Sequence, residues 1–115
     1  MSIYYTDGSG FNGEVSRYAV TNDTGHVVTT GIIPEERTSN EMEYEGVISA
    51  LQIAKDGDTI YSDSQLVINQ LTKKWKVKAR NLISRYNYAK ELYFNKNVKL
   101  LWIRRDKNLA GKIFE

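Results

Sequence analysis

The chain is 115 residues long, 41% hydrophobic and 26% charged, which suits a single domain, residues 1–115, with its own apolar core. It has no cysteine and one histidine, His26, so disulfides, thiolate metal sites, a cysteine nucleophile and a multi-histidine zinc site are excluded. No apolar run approaches the roughly 18–20 residues that span a bilayer, and the opening MSIYYTDGSG lacks a signal-peptide layout, so a cytoplasmic protein with no membrane partner is expected.

The net charge of +2 conceals an asymmetry. Residues 1–72 hold three basic and eleven acidic side chains, a balance of −8, whereas residues 73–115 hold thirteen basic and three acidic, a balance of +10. Such a chain binds cations with one half and phosphates with the other, or else folds so that the halves interleave and their charges mix.

In chain order, residues 2–6 are β-prone, and Asp7-Gly8-Ser9-Gly10 behind them predicts a glycine-forced turn. Residues 17–21 and 27–33 predict two more strands around the turn-former Asn22-Asp23-Thr24-Gly25, completing an antiparallel meander. The period then changes. Thr38-Ser39-Asn40-Glu41 forms a capping box, and Val47, Ala50, Leu51 and Ala54 follow at helical spacing. A strand at 59–62, a short helix at 65–71 and a longer helix at 79–93 come next, the last with Leu82, Tyr86, Ala89 and Tyr93 in one stripe. Residues 98–103 predict a strand, and Asn108 caps a last short helix running to residue 115. The order βββαβααβα implies crossover connections and an α/β fold: a five-stranded mixed sheet with helices on both faces.

Asp7 closes the first predicted strand, Asp63 closes the fourth, and Glu43 lies in the opening turns of the helix that starts at Thr38. If the two strands are parallel neighbours, their C-terminal ends lie side by side, where α/β folds build ligand sites. Three converging carboxylates repel one another unless a cation sits between them, and hard oxygen donors select Mg2+ or Mn2+. Two such ions roughly 4 Å apart suit phosphodiester hydrolysis. Alternatively, Asp7 and Asp63 are turn and cap residues and Glu43 is a solvated helix acid.

The flanking residues favour the site. Tyr5-Thr6-Asp7-Gly8-Ser9, Thr38-Ser39-Asn40-Glu41-Met42-Glu43-Tyr44 and Tyr61-Ser62-Asp63-Ser64-Gln65 resemble three ordered signatures of the type 1 ribonuclease H family, in its short prokaryotic and archaeal form. The stretch Trp102-Ile103-Arg104-Arg105-Asp106-Lys107-Asn108-Leu109-Ala110 resembles the start of a fourth, so the likeness spans essentially the whole chain. The resemblance implies a ribonuclease H-like fold and an endoribonuclease that hydrolyses the RNA strand of RNA–DNA hybrids, leaving 5′-phosphate ends. It implies two Mg2+ ions per site, with Mn2+ as substitute, held by Asp7, Glu43 and Asp63. Thr38, Ser39 and Asn40 match a segment that meets phosphate and ribose 2′-hydroxyls in relatives. Gly8, Ser9 and Ser64, beside the acids, are counted with them as substrate contacts. Trp75 falls near a tryptophan that packs on the DNA strand in relatives, and alternatively is a core or rim aromatic. Lys73, Lys74, Lys76 and Lys78 surround it, an arrangement that fits a phosphate backbone and is otherwise a solvated connector.

The fourth family carboxylate is where the chain departs. Relatives carry Ala-Asp opening the last helix, but Asn108-Leu109-Ala110 is followed here by Gly111 and Lys112. Asn108 as a neutral oxygen ligand, Glu115 as a longer substitute carboxylate, or three acids with extra waters are the alternatives, beside Asn108 as a plain N-cap. Relatives often carry a histidine in the preceding loop. Here Arg104, Arg105 and Lys107 occupy it, and Arg105 is expected on phosphate. The alternative function is a hybrid-binding module of the same fold, weakened or inactive in catalysis. No obligate protein partner is evident.

Overall fold

The structure, a computed structural model, describes residues 1–114. Its elements are strands β1 (Ile3–Ser9), β2 (Ser16–Thr21) and β3 (Val27–Ile33), helix α1 (Ser39–Ile53), strand β4 (Thr59–Ser62), helices α2 (Gln65–Thr72) and α3 (Arg80–Phe94), and strand β5 (Lys99–Trp102). Two 3-10 turns, Arg105–Lys107 and Leu109–Phe114, follow. The strands form one mixed sheet in the order β3-β2-β1-β4-β5, with β1, β4 and β5 parallel and β2 antiparallel to both its neighbours.

Two expectations are corrected. β1 does not stop at Thr6 but continues through Asp7 and Gly8 to Ser9, pairing with β2 from Tyr5↔Thr21 to Ser9↔Arg17. The glycine serves a close approach instead of a turn: a Cβ on Gly8 would stand 2.2 Å from the Met42 carbonyl carbon and 2.3 Å from the Glu43 nitrogen. The closing helix is a 3-10 turn. Between β2 and β3 the register shifts, Val20 facing Thr29 and Thr21 facing Val27, so that Val28 is an extra residue on the edge strand.

α1 is buried along most of its length because the sheet lies on one side and α3 on the other. Tyr44, Val47 and Leu51 join Val20, Ile60, Val67, Leu71 and Leu100 in the core, with Leu82 and Ala89 of α3 closing it. The α3 stripe read from the sequence is therefore the buried one, with Tyr86 and Tyr93 packed at its margin. The opposite face carries the stacked Tyr5–Tyr61 pair, ring centroids 5.2 Å apart, and the last 3-10 turn, whose Phe114 ring lies 4.7 Å beneath the Arg17 guanidinium.

The ends of α1 are tied in different ways. Thr38 and Glu41 form the capping box, with Glu41 N–H to Thr38 Oγ1 at 3.1 Å and Thr38 N–H to Glu41 Oε1 at 2.9 Å. At the other end Lys96 Nζ donates to the carbonyls of Leu51, Gln52 and Ala54, satisfying groups that the helix itself leaves open. Arg85 of α3 also bridges Glu41 and Glu45 at 3.0 and 3.1 Å. Thus the basic half of the chain partly neutralises the acidic half. No helix among the described residues is long and apolar enough to cross a membrane.

Asp58 fixes the turn before β4. Its buried carboxylate accepts from Ser2 N–H and Lys55 N–H, both at 2.8 Å, and these amides hold it below the ordinary carboxylate range. Asp58→Ala is expected to lower stability by about 1–3 kcal/mol at pH 7. A lowered native pKa makes this contribution complete above the unfolded value of about 4 and lost as pH falls through the native one. Urea melts at pH 7 should separate the two proteins, and melts in strong acid should bring them together.

Candidate active site

The parallel ladder between β1 and β4 ends at Thr6↔Ser62, so the next residues on the two strands are Asp7 and Asp63. Thr6 and Ser62 are buried. Strand alternation turns the acids to the other side, at the carboxyl edge of the sheet. α1 crosses at Gly8, and its second turn delivers Glu43 to the same point. Oxygens of Asp7, Glu43 and Asp63 all lie within 4.8 Å of one another. The first three acids read from the sequence thus converge.

Glu43 and Asp63 are held from outside the cluster. Gly8 N–H donates to Glu43 Oε1. Trp102 Nε1–H donates to the Asp63 carbonyl at 3.1 Å. The fully buried Asn108 donates from Nδ2 to the Thr6 carbonyl at 2.9 Å and to Asp63 Oδ2 at 3.1 Å, while its Oδ1 accepts from Ala110 N–H at 3.1 Å. Its amide oxygen therefore caps the last turn, and its nitrogen faces the acid. Arg105 approaches Asp63 Oδ2 to 3.9 Å from a side chain that is 90% exposed. Asp63 Oδ1 is buried with no hydrogen-bond partner among the described residues.

Burial, together with the neighbouring Asp7 charge, raises the Glu43 pKa far above the ordinary carboxylate range. Burial also raises that of Asp7, opposed by its hydrogen bond to Glu43 and reinforced by Asp63. Three carboxylates this close do not all ionise in the absence of a cation. The donor set is all oxygen, and Asp63 Oδ1 lacks a partner, so the residues fit a hard divalent cation that would replace the proton shared by Asp7 and Glu43.

A cleft of about 300 Å³ opens onto Asp7, lined also by Gly8, Ser9, Ser39, Arg105 and Phe114 among others. It adjoins a larger one of about 550 Å³ that also borders Ser9 and Ser39 and reaches Thr38 and Arg37. Gly8, Ser9, Ser39 and Arg105 thus share a cleft with Asp7, with Thr38 one step away. The Thr38 and Ser64 hydroxyls are engaged as N-caps of α1 and α2. Asn40 is exposed on the first turn of α1. Trp75, 52% exposed, and Lys76 lie on the connection between α2 and α3 and line neither cleft. There Lys74 takes a left-handed conformation, φ 56°, and Trp75 N–H returns to the Asn69 carbonyl. His26 is held by Thr24 in the β2–β3 turn. Glu115 lies outside the described residues.

One residue of the site went unnoticed in the sequence, and one was marked only as a departure from the family pattern. Trp102 had no mark beyond its place in the fourth signature. Gly111 had one, since it stands where an aspartate was expected. A Cβ built there would lie 3.4 Å from Asp7 Oδ2, so position 111 faces the acids but presents no side chain.

A family model described as RNase H matches residues 1–111. The bifunctional protein Rv2228c of Mycobacterium tuberculosis is 36% identical over 76 residues, 62% of this chain and 21% of its own length, so this chain spans about a fifth of that curated relative. An uncharacterized protein of Mycobacterium bovis, Mb2253c, matches to the same extent. Among solved structures, the N-terminal RNase H domain of Rv2228c, fused to maltose binding protein, superimposes with a TM-score of 0.75 at 24% identity, covering 96% of this chain and 91% of that one. RNase H1 of the archaeon Halobacterium salinarum NRC-1 gives 0.74 at 24% identity, covering 97% and 92%. LC11-RNase H1, solved in complex with an RNA/DNA hybrid, gives 0.71 at 24% identity, covering 94% and 88%. At such identities the structures establish a common fold, a five-stranded mixed sheet with helices. With the family model matching nearly its whole length, this chain belongs to the RNase H family.

Proposed function

We propose that the chain is an endoribonuclease that hydrolyses the RNA strand of RNA–DNA hybrids, leaving 5′-phosphate ends, with two Mg2+ ions held by Asp7, Glu43 and Asp63. The observation that carries this reading is the convergence of three buried or half-buried carboxylates, of which Asp63 keeps one oxygen with no partner among the described residues. Divalent ions bound there supply an activated water and stabilise the departing oxygen. The hybrid bound by the structural relative LC11-RNase H1 supports the substrate class.

The chain's own residues do the rest. Asn108 is a positioning residue: one amide nitrogen spans the β1 backbone and Asp63 Oδ2, keeping the two strands' acids in register. Arg105, exposed beside Asp63, meets phosphate charge as the strand docks. Ser39, at the amino end of α1 and shared by both clefts, lies where a ribose 2′-hydroxyl distinguishes RNA from DNA. Trp75 with Lys73, Lys74, Lys76 and Lys78 grips the hybrid away from the chemistry. Left-handed backbone at a lysine is a strain that glycine would relieve, and it stands on the segment assigned to substrate.

One feature favours the second reading, a hybrid-binding module with little catalysis. Gly111 faces Asp7 and contributes no ligand. Cleavage of an end-labelled hybrid in Mg2+, Mn2+ or EDTA, beside single-stranded and duplex controls, separates the two. Metal-dependent, hybrid-specific cutting is expected. Binding without cutting in either metal would establish the module instead.

Replacing Asp7 by Asn removes a charge from the centre of the cluster. Cleavage is expected to fall roughly a thousandfold or more, because several kcal/mol of transition-state stabilisation is lost. The metal-free protein should meanwhile melt at the same temperature or higher, as carboxylate repulsion is relieved. Retention of near-normal Mg2+-dependent activity would overturn the site assignment.

Gly111→Asp should act in the opposite sense. In EDTA the added charge beside Asp7 lowers the melting temperature, and Mg2+ restores it. Half-maximal cleavage should need roughly tenfold less Mg2+, equivalent to about 1.4 kcal/mol of binding. An unchanged Mg2+ requirement would show that position 111 does not reach the ions.

A further inference from the structure

The parallel ladder between β4 and β5 ends at Ser62↔Trp102, with Ile103 N–H donating to the Ser62 carbonyl at 2.9 Å. The carbonyl one step further on, that of Asp63, lies beyond the last pair of the ladder. The Trp102 indole reaches back to it, its Nε1–H donating to the Asp63 carbonyl at 3.1 Å. The ring is 43% exposed.

We propose that Trp102 is a positioning residue for Asp63 and that its indole senses occupancy of the metal centre; the inference rests on the function proposed above. Asp63 sits at a pivot. Behind it the chain is strand, and ahead of it Ser64 already caps α2, accepting from Val67 N–H at 3.2 Å. Ser64 N–H is in turn held by Ser62 Oγ at 3.1 Å. The peptide that joins Asp63 to Ser64 is thereby fixed on both sides, by Trp102 at its oxygen and Ser62 at its nitrogen. With that plane fixed, the carboxylate has little freedom beyond its own side-chain torsions. One of its oxygens is tied to Asn108 and the other has no partner among the described residues. A carboxylate stays within reach of an ion site only if the backbone carrying it is held. Outer partners of metal ligands act in this way and contribute roughly 10–100-fold to affinity or rate.

The test uses the full chain and two readouts. The sequence has two tryptophans, so Trp75→Phe leaves Trp102 as the only indole. Its emission is expected to change saturably as Mg2+ is added, and to stop responding when Asp63→Asn is combined with it. Separately, Trp102→Phe keeps a ring but removes the donor. It should raise the Mg2+ concentration for half-maximal cleavage, or lower kcat, by about tenfold, with KM for the hybrid within about twofold of the parent. Trp102→His, which retains a ring N–H, should recover part of the loss. Trp102→Phe behaving as the parent would overturn the proposal. So would a loss confined to hybrid KM, which marks a substrate contact, or an indole blind to Mg2+ that calorimetry shows to be bound. If the unaltered chain cleaves no hybrid, the functional reading fails by itself, and the emission titration still decides the role of Trp102.

Discussion

The backbone contact between α1 and β1 at Gly8 governs the rest of this structure. With no side chain at that position, the helix lies directly on the strand, and a methyl group there would overlap the Met42 and Glu43 backbone. That contact sets the depth at which Glu43 enters and so its distance from Asp7. It also lets Gly8 N–H become the donor that holds the Glu43 carboxylate. The capping box at Thr38 and the Lys96 ammonium brace α1 from its two ends, so the helix meets the sheet as a rigid body.

Around that contact the chain concentrates negative charge that it does not neutralise locally. Arg105 is the one cation near the acids among the described residues, and it is almost wholly exposed at 3.9 Å, where water screens it. The other basic groups serve elsewhere: Arg85 on Glu41 and Glu45, Lys96 on α1, Arg17 over Phe114. The fold therefore carries a destabilising cluster that a bound ion would relieve, so folding and metal binding reinforce each other.

The acids were legible in the sequence because their neighbours are local. Tyr5–Ser9, Thr38–Tyr44 and Tyr61–Gln65 each place an acid at a fixed offset from a strand end or a helix cap, and the capping box appears as written. What was not legible depends on partners distant in the chain. Gly8 and Gly10 look like turn residues until α1 is seen pressed against them. Asn108 is bonded to Thr6, 102 residues away, so its sequence surroundings could offer only the choice between cap and ligand. Its two ends in fact do different work. Trp102 lies 39 residues from the carbonyl it holds, and nothing in the spacing of the two announces the bond. The last helix became a 3-10 turn whose start Asn108 Oδ1 caps, a geometry that Leu109-Ala110-Gly111 does not distinguish from an ordinary helical start.

The register shift in β3 has its own consequence for how the molecule behaves in company. Val27–Ile33 is an edge strand without a single charged residue, the kind of border onto which another extended chain adds readily. The extra residue at Val28 bends that border and breaks the even spacing of its free amides and carbonyls. A straight incoming strand finds at most the short run from Thr29 to Ile33 to pair with. At this edge one inserted residue interrupts the pairing surface, where other proteins place lysines.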